Sequence, residues 1–334
     1  MNQFLSDILG QPSALQQVLS YTLYQGRENL LTAADLIQKS RRVVLTSMGS
    51  AYYSLTPLYD LLKYWHPSVH LVETAGLLAG SLQEDTLYLV MSRSGESGEI
   101  VEFSRLLKHQ EKPLIAITMT PKSTLGQNAS LVIDNTAPFD SFICTKAYSS
   151  LALIGLLLGL QAGSEPDETL PAHLKEMLDW LEDHKLEILN SVEAIDWLDG
   201  PLYYLSYGAG NGLALAGALW LQEAARRQAA VMTIDNFLHG PVEQVEDNFH
   251  GVWIDLSPSQ RSHERFATAI SRGGKWWGIA MGNSQADLRL PSFGLPEAYR
   301  VLIAAMPLQM IAYQTSKNLG LEPGEMRYLN WVVK

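Results

Sequence analysis

The chain has 334 residues, 47% of them hydrophobic and 18% charged, with a net charge of -11 at pH 7. At roughly 150 residues per domain, that length predicts two domains with sizeable buried cores, and the acidic balance disfavours nucleic acid as a partner. The single cysteine, Cys144, excludes an intramolecular disulfide framework and a cysteine-built zinc site, and it fits a reducing compartment.

The opening segment MNQFLSDILGQPSALQQV has neither the basic nor the apolar region of a secretory leader, so a cytoplasmic location is expected. From Pro12 to Gln38 apolar residues recur at helical spacing, and VVLTS (Val43 to Ser47) then reads as a strand running into the turn Met48-Gly49-Ser50. A helix is expected through Tyr52 to Trp65. Strands follow at His70 to Glu73, Thr86 to Met91, Pro113 to Thr118 and Ser130 to Asp134. These runs are too apolar to have a wet face and alternate with helical segments, which predicts a parallel sheet covered on both sides. The apolar run Leu151 to Leu160 is too short to cross a bilayer, which takes roughly 20 residues, and reads as a buried helix; no membrane contact is expected.

The second half repeats the plan, with strands at Leu202 to Ser206, Ala230 to Ile234, Gly251 to Leu256 and Lys275 to Ala280, and a helix at Leu213 to Arg227. Gly49 aligns with Gly208 and Gly80 with Gly240, an offset of about 160 residues, which reads as a duplicated domain and not as a solenoid. The polar stretch GSEPDETL joins the halves, and its Ser164 is placed to cap a helix from Pro171 to Ile195. The expected divisions are a first lobe at 1–163, a linker helix at 164–195 and a second lobe at 196–334.

The sharpest local signal is SRSGES, from Ser92 to Ser97, between a strand and a helix. Three hydroxyls (Ser92, Ser94 and Ser97), a glycine that lets the backbone approach closely (Gly95) and the free N–H groups of a helix start suit a phosphate monoester; an ordinary N-cap is the alternative. Ser50, in the first turn, is a second hydroxyl at the place where ligands of open α/β sheets collect, or simply a helix cap. Glu223 lies late in an otherwise apolar helix. It is either a buried carboxylate serving as a base, or an exposed partner of Arg226 or Arg227. His239, in FLHGP, precedes a turn forced by Gly240-Pro241 that can hold an imidazole at a cleft edge.

Three other chemistries fit less well. YGAGNGL (Tyr207 to Leu213) has Leu213 where a dinucleotide fingerprint needs its third glycine. A phosphosugar-sensing regulator would carry a helix-turn-helix and a basic face, and neither is evident. The eight histidines show no ligand spacing with acidic residues, so no metal and no cofactor are expected.

SMGSA (Ser47 to Ala51), SRSGES, ICTKAYSSLAL (Ile143 to Leu153), YGAGNGLALAGALWLQE and FLHGPVEQVED together resemble the isomerase domain of glucosamine-6-phosphate synthase and its sugar isomerase (SIS) relatives over nearly the whole chain. The resemblance implies an α/β fold of two tandem SIS lobes, each a parallel five-stranded sheet flanked by helices in a flavodoxin-like three-layer arrangement. It also implies that Ser92, Arg93, Ser94, Gly95 and Ser97 hold a sugar phosphate, with Gly49, Ser50, Cys144 and Lys146 lining the substrate. Glu223 would move a proton between C1 and C2, and His239 would assist ring opening, acting across the interface of a homodimer.

The departures are equally specific. Lysines of the synthase fall on Trp220 and Trp331, its earlier glutamate falls on Ala216, and nothing supports glutamine-driven amination. The tail from Gly320 to Lys334 and the FLHGP variant look closer to fructosamine-6-phosphate deglycases. The expected activity is therefore phosphosugar isomerisation on an (amino)sugar 6-phosphate, with deglycation or deamination on the same scaffold as the alternative.

Overall fold

The computed structural model describes residues 2–163, 169–193, 195–196, 200–283, 285–329 and 332–333. The expected cap Ser164 and the position of Trp331 lie outside them.

The chain divides into two compact units, which are not contiguous in sequence. An N-terminal unit comprises Gly10–Pro171 with Arg327–Lys334, and a C-terminal unit comprises Met1–Leu9 with Ala172–Met326. Sequence reasoning assigned each chain end to the lobe it adjoins; by packing, each end belongs to the other unit.

The N-terminal unit holds β1 (Arg42–Ser47), β2 (Val69–Glu73), β3 (Thr86–Ser92), β4 (Leu114–Thr118) and β5 (Leu131–Asp134), in the order β2-β1-β3-β4-β5. Every pairing is parallel. The central strands β3 and β4 are buried along their whole length, as continuous apolar runs in a doubly covered sheet must be. On one face Tyr88 of β3 meets Phe103 of the helix Gly98–His109 edge to face, with ring centroids 5.6 Å apart. The helix Lys146–Gly163 is buried nearly all round, and Gly155 and Gly159 let it approach the side chains of Met91, Leu58 and Leu61. No helix among the described residues is long and apolar enough to cross a membrane.

The C-terminal unit repeats the strand order. Its strands β6 (Leu202–Tyr207), β7 (Ala230–Thr233), β8 (His250–Asp255), β9 (Lys275–Met281) and β10 (Leu288–Leu290) run β10-β9-β8-β6-β7, again all parallel. One face carries an aromatic cluster in which Phe249 lies 5.3 Å from Tyr203 and 5.2 Å from Trp276, centroid to centroid. On the opposite face, Gly217 brings the helix Gly210–Ala225 against the ring of Tyr204.

Two expectations on local structure are corrected. The helix expected from Pro12 to Gln38 is two, Gln11–Leu23 and Arg27–Lys39, because the chain turns at Gly26, whose amide donates to Tyr21 O at 2.8 Å. The helix expected from Tyr52 to Trp65 is also two, Gly49–Ser54 and Thr56–Leu62; Pro57 has no N–H to continue the first and suits the opening turn of the second. The helix Gln3–Leu9 and the strand β10 were not foreseen, β10 being too short for its alternation to register.

Gly278 lies opposite Trp253 in the β8–β9 register, and a Cβ there would stand 2.0 Å from the indole. Gly278→Ala is therefore expected to lower unfolding free energy in urea by about 1–3 kcal/mol, the usual cost of overpacking.

Candidate functional site

In both sheets the strand order reverses between the first and third strands of the unit, which opens a crevice at the carboxyl ends of those strands. In the N-terminal unit β3 delivers SRSGES into that crevice, and the loop is organised by its own serines. Ser92 Oγ accepts a hydrogen bond from Gly95 N at 3.0 Å, and Ser94 Oγ accepts one from Glu96 N at 3.2 Å. Gly95 has φ +65°, and a Cβ on it would lie 2.0 Å from Ser123 Oγ, so only glycine fits. The loop carbonyls are held from behind. Thr120 Oγ1 donates to Arg93 O at 3.3 Å and Leu125 N to Gly95 O at 3.1 Å, while Glu96 accepts from Thr124 N and Oγ1 at 2.6 and 2.9 Å.

Ser97 occupies the N-cap position of the helix Gly98–His109, yet its hydroxyl makes no capping hydrogen bond. Plain capping therefore does not account for it. The amide of Gly98 donates to Val333 O at 3.0 Å, so a backbone carbonyl of the chain's own tail sits at this helix start.

The other expected binding residues of this unit lie at the same sheet edge. Ser47 Oγ donates to Met91 O at 2.5 Å, tying the end of β1 to that of β3. Gly49 follows with φ +58° and open space where a side chain would be, and Ser50 is buried in the next turn. Arg93 donates to Phe142 O at 2.7 Å, which links the serine loop to the segment carrying Cys144 and Lys146. Cys144 is half-buried and outside any disulfide, and Lys146 is buried at the start of its helix.

Asp140 organises that segment and was missed by sequence reasoning. Its carboxylate accepts from Thr145 Oγ1 at 2.6 Å and from the amides of Thr145, Lys146 and Ala147 at 2.9–3.1 Å. Burial pushes its carboxyl above the usual aspartate range, and these hydrogen bonds work in the opposite direction. The signal available in the sequence was an aspartate just ahead of an apolar helix.

The C-terminal unit carries Glu223 and His239. Glu223 is half-buried, late in the helix Gly210–Ala225 on the Tyr204 face. Arg226, one of its two candidate partners, lies 3.4 Å from the carboxylate of Glu325. His239 is exposed at the end of the short helix Ile234–Leu238, whose Phe237 packs on Tyr203, with ring centroids 5.4 Å apart. Tyr203 and Tyr204 are adjacent in a strand and point to opposite faces, so the elements carrying Glu223 and His239 pack on opposite faces of the sheet.

Asp255 ends β8 fully buried, with Oδ2 3.6 Å from His263 Nε2. Burial pushes its carboxyl up to about 6; the charge of Glu297 adds to this, and Ser262, His263 and the Ser257 amide oppose it. The unfolded chain titrates near 3.8, so the folded state holds this proton more tightly. The group's stabilising effect is full below pH 4 and is lost as pH rises through 6. Asp255→Asn is therefore expected to gain stability relative to the parent protein between pH 4 and pH 7, measured by urea unfolding across that range.

Residues 36–160 match the family model described as SIS domain. Glutamine–fructose-6-phosphate aminotransferase (isomerizing) of Pyrococcus horikoshii is 26% identical over 355 residues, covering 97% of this chain and 56% of the relative. The chain thus spans about half the length of the curated relatives it matches. Among solved structures, glucosamine-6-phosphate deaminase of Thermotoga maritima superposes with a TM-score of 0.81 at 19% identity, covering 99% of both chains. Tagatose-6-phosphate ketose/aldose isomerase of Escherichia coli does so with 0.81 at 19%, covering 98% of this chain and 96% of the other. The stretch that matches the SIS domain model thus lies within a double parallel-sheet fold shared with these phosphosugar isomerase and deaminase structures.

Proposed function

We propose that the chain is an enzyme acting on a sugar or amino-sugar 6-phosphate by proton transfer between C1 and C2. The observation that carries this reading is the serine loop Ser92 to Ser97: a rigid turn whose carbonyls are bonded from behind, with an uncommitted cap hydroxyl on Ser97 and a helix start bound only by a neutral carbonyl. Such a cradle takes a phosphate monoester without lysine or metal. Arg93, Gly49, Ser50, Cys144 and Lys146 line the same edge and are assigned to the substrate.

Glu223 is assigned as the base. It takes a proton from the carbon next to the carbonyl, or from C1 of a fructosamine, giving an enediol or enolamine, with His239 shuttling protons at oxygen. Reprotonation at the neighbouring carbon completes an isomerisation. If the substrate carries an amine, the imine that results is hydrolysed by water to the free amine and a sugar carbonyl, an aldose from a fructosamine and a ketose from a 2-amino-2-deoxy aldose. The duplicated strand order and the matching turns at Gly49 and Gly208 support two lobes of common origin. The separation of the Glu223 and His239 elements by a sheet favours a homodimer in which His239 serves the Glu223 of a second copy. A cytoplasmic location fits the composition.

Thermal denaturation against a panel of sugar 6-phosphates tests the loop. A ligand at 100 times its Kd should add about 2.7 kcal/mol to the parent protein, and Ser94→Ala should lose the effect. If nothing in the panel stabilises the parent, the reading fails.

With that substrate, Glu223→Gln and His239→Ala should each lower turnover about 100-fold or more. Mixing the two inactive variants under subunit exchange should restore about a quarter of the parent activity, since half the dimers are mixed and each has one intact site. No recovery would mean that both groups act from one chain.

A further inference from the structure

The C-terminal unit contains a counterpart of the N-terminal crevice. Gly208 follows β6 as Gly49 follows β1, with φ +56° against +58°. What fills the turn differs. A methyl on Gly49 would meet nothing within 4 Å, whereas one on Gly208 would lie 2.3 Å from Glu297 Oε1. That same oxygen accepts from Ala209 N at 2.8 Å, at the start of the helix Gly210–Ala225. Ala209, at the N-cap, makes no side-chain capping bond, so the carboxylate of Glu297 stands where a cap or an anion would otherwise be needed.

The pairing registers extend the comparison. Thr46 pairs with Val90, and its counterpart Leu205 pairs with Trp253, which places Asp255 at the position of Ser92 and Pro258 at that of Gly95. A carboxylate there repels a free anion, and proline cannot adopt the positive φ of Gly95. Arg300 is buried three residues after Glu297, bound to Leu256 O at 2.7 Å and Leu295 O at 3.0 Å, and the charge of Glu297 acts on it. The cationic helix start is therefore matched from within the chain.

We propose that Glu297 is a resident anion: its carboxylate fills, in the C-terminal unit, the turn after β6 whose counterpart at Gly49 stays open in the N-terminal unit, and it fixes the helix that carries Glu223. Glu297 is then a positioning residue. Its effect on turnover rests on the proposed role of Glu223, whereas its occupation of the anion site does not.

The test counts inorganic phosphate bound per chain by calorimetric titration of the purified full chain. Ser94→Ala should bind none, and Ser94→Ala combined with Glu297→Ala and Asp255→Asn should bind one, because both carboxylates are then gone from that crevice. No gain in the triple variant overturns the proposal. Failure of the parent protein to bind phosphate would instead count against the serine loop, so the two readings fail separately.

Should Glu297→Ala be too unstable to titrate, its melting temperature is followed against millimolar acetate or phosphate. A rise several degrees larger than that of the parent supports a resident anion, and an equal rise overturns it. With a turned-over substrate, Glu297→Ala should lose at least 10-fold in kcat with little change in KM. Acetate should recover activity in that variant and not in Glu297→Gln, whose amide still fills the space.

Discussion

Every helix that begins at the carboxyl edge of a parallel sheet presents amide hydrogens with no partner inside the helix, and the structure depends on how each start is met. Ser123 and Thr233 cap their own helices locally, and other starts are met with oxygens drawn from elsewhere. Asp140 serves Lys146–Gly163, Glu96 serves Thr124–Asn128, and Glu297 serves Gly210–Ala225. These three are carboxylates, and a carboxylate already seated on a helix start excludes a second anion. At Gly98–His109 the partner is the carbonyl of Val333, a neutral group on the terminal segment that a dianion can displace. On the proposed reading, phosphate selects this helix start because its partner is neutral and its loop carries the serine hydroxyls.

On the proposed reading, this distribution also divides the labour between the units. The N-terminal unit carries the open turn at Gly49, the serine hydroxyls and the buried Lys146, a set suited to holding a phosphate and the polar chain attached to it. The C-terminal unit carries Glu223 and His239, with its own crevice filled by Glu297. On that reading, aspartate in place of serine changes the charge of the crevice without disturbing the sheet: Asp255 Oδ1 accepts from Ser257 N at 3.3 Å, much as Ser92 accepts from Gly95.

What the sequence made legible follows from how local each signal is. The central strands were readable because continuous apolar runs with turn residues at their ends have few other solutions. SRSGES was readable because its hydrogen bonds close within five residues. Glu297 was not, since it reaches Ala209 across 88 residues and nothing in EAYR marks it. Asp140 lies closer to its helix, but the intervening residues carry no turn signal that would have bound it to Lys146. Glu223 and His239 were identified by type and resemblance, while the sheet between their supporting elements emerges only from the pairing of Tyr203 and Tyr204 with opposite layers.

Trp220 narrows the chemistry further. It lies three residues before Glu223 and is fully buried, at the position where the resemblance expects a lysine. An ammonium at a site with no exposed surface would pay heavily for desolvation and would shed its proton, so the core of this helix could accept an indole but not that charge without other changes. Ring opening by a lysine on this helix is therefore not among the tools the chain has. On the proposed reading, the proton transfer at Glu223 favours substrates that reach the open-chain form readily or with help from His239 alone. A 1-amino-1-deoxy-ketose 6-phosphate meets that requirement on this reading, because phosphorylation at O6 leaves a ketose only the furanose ring, and the amine at C1 separately stabilises the enolamine through which its proton must pass.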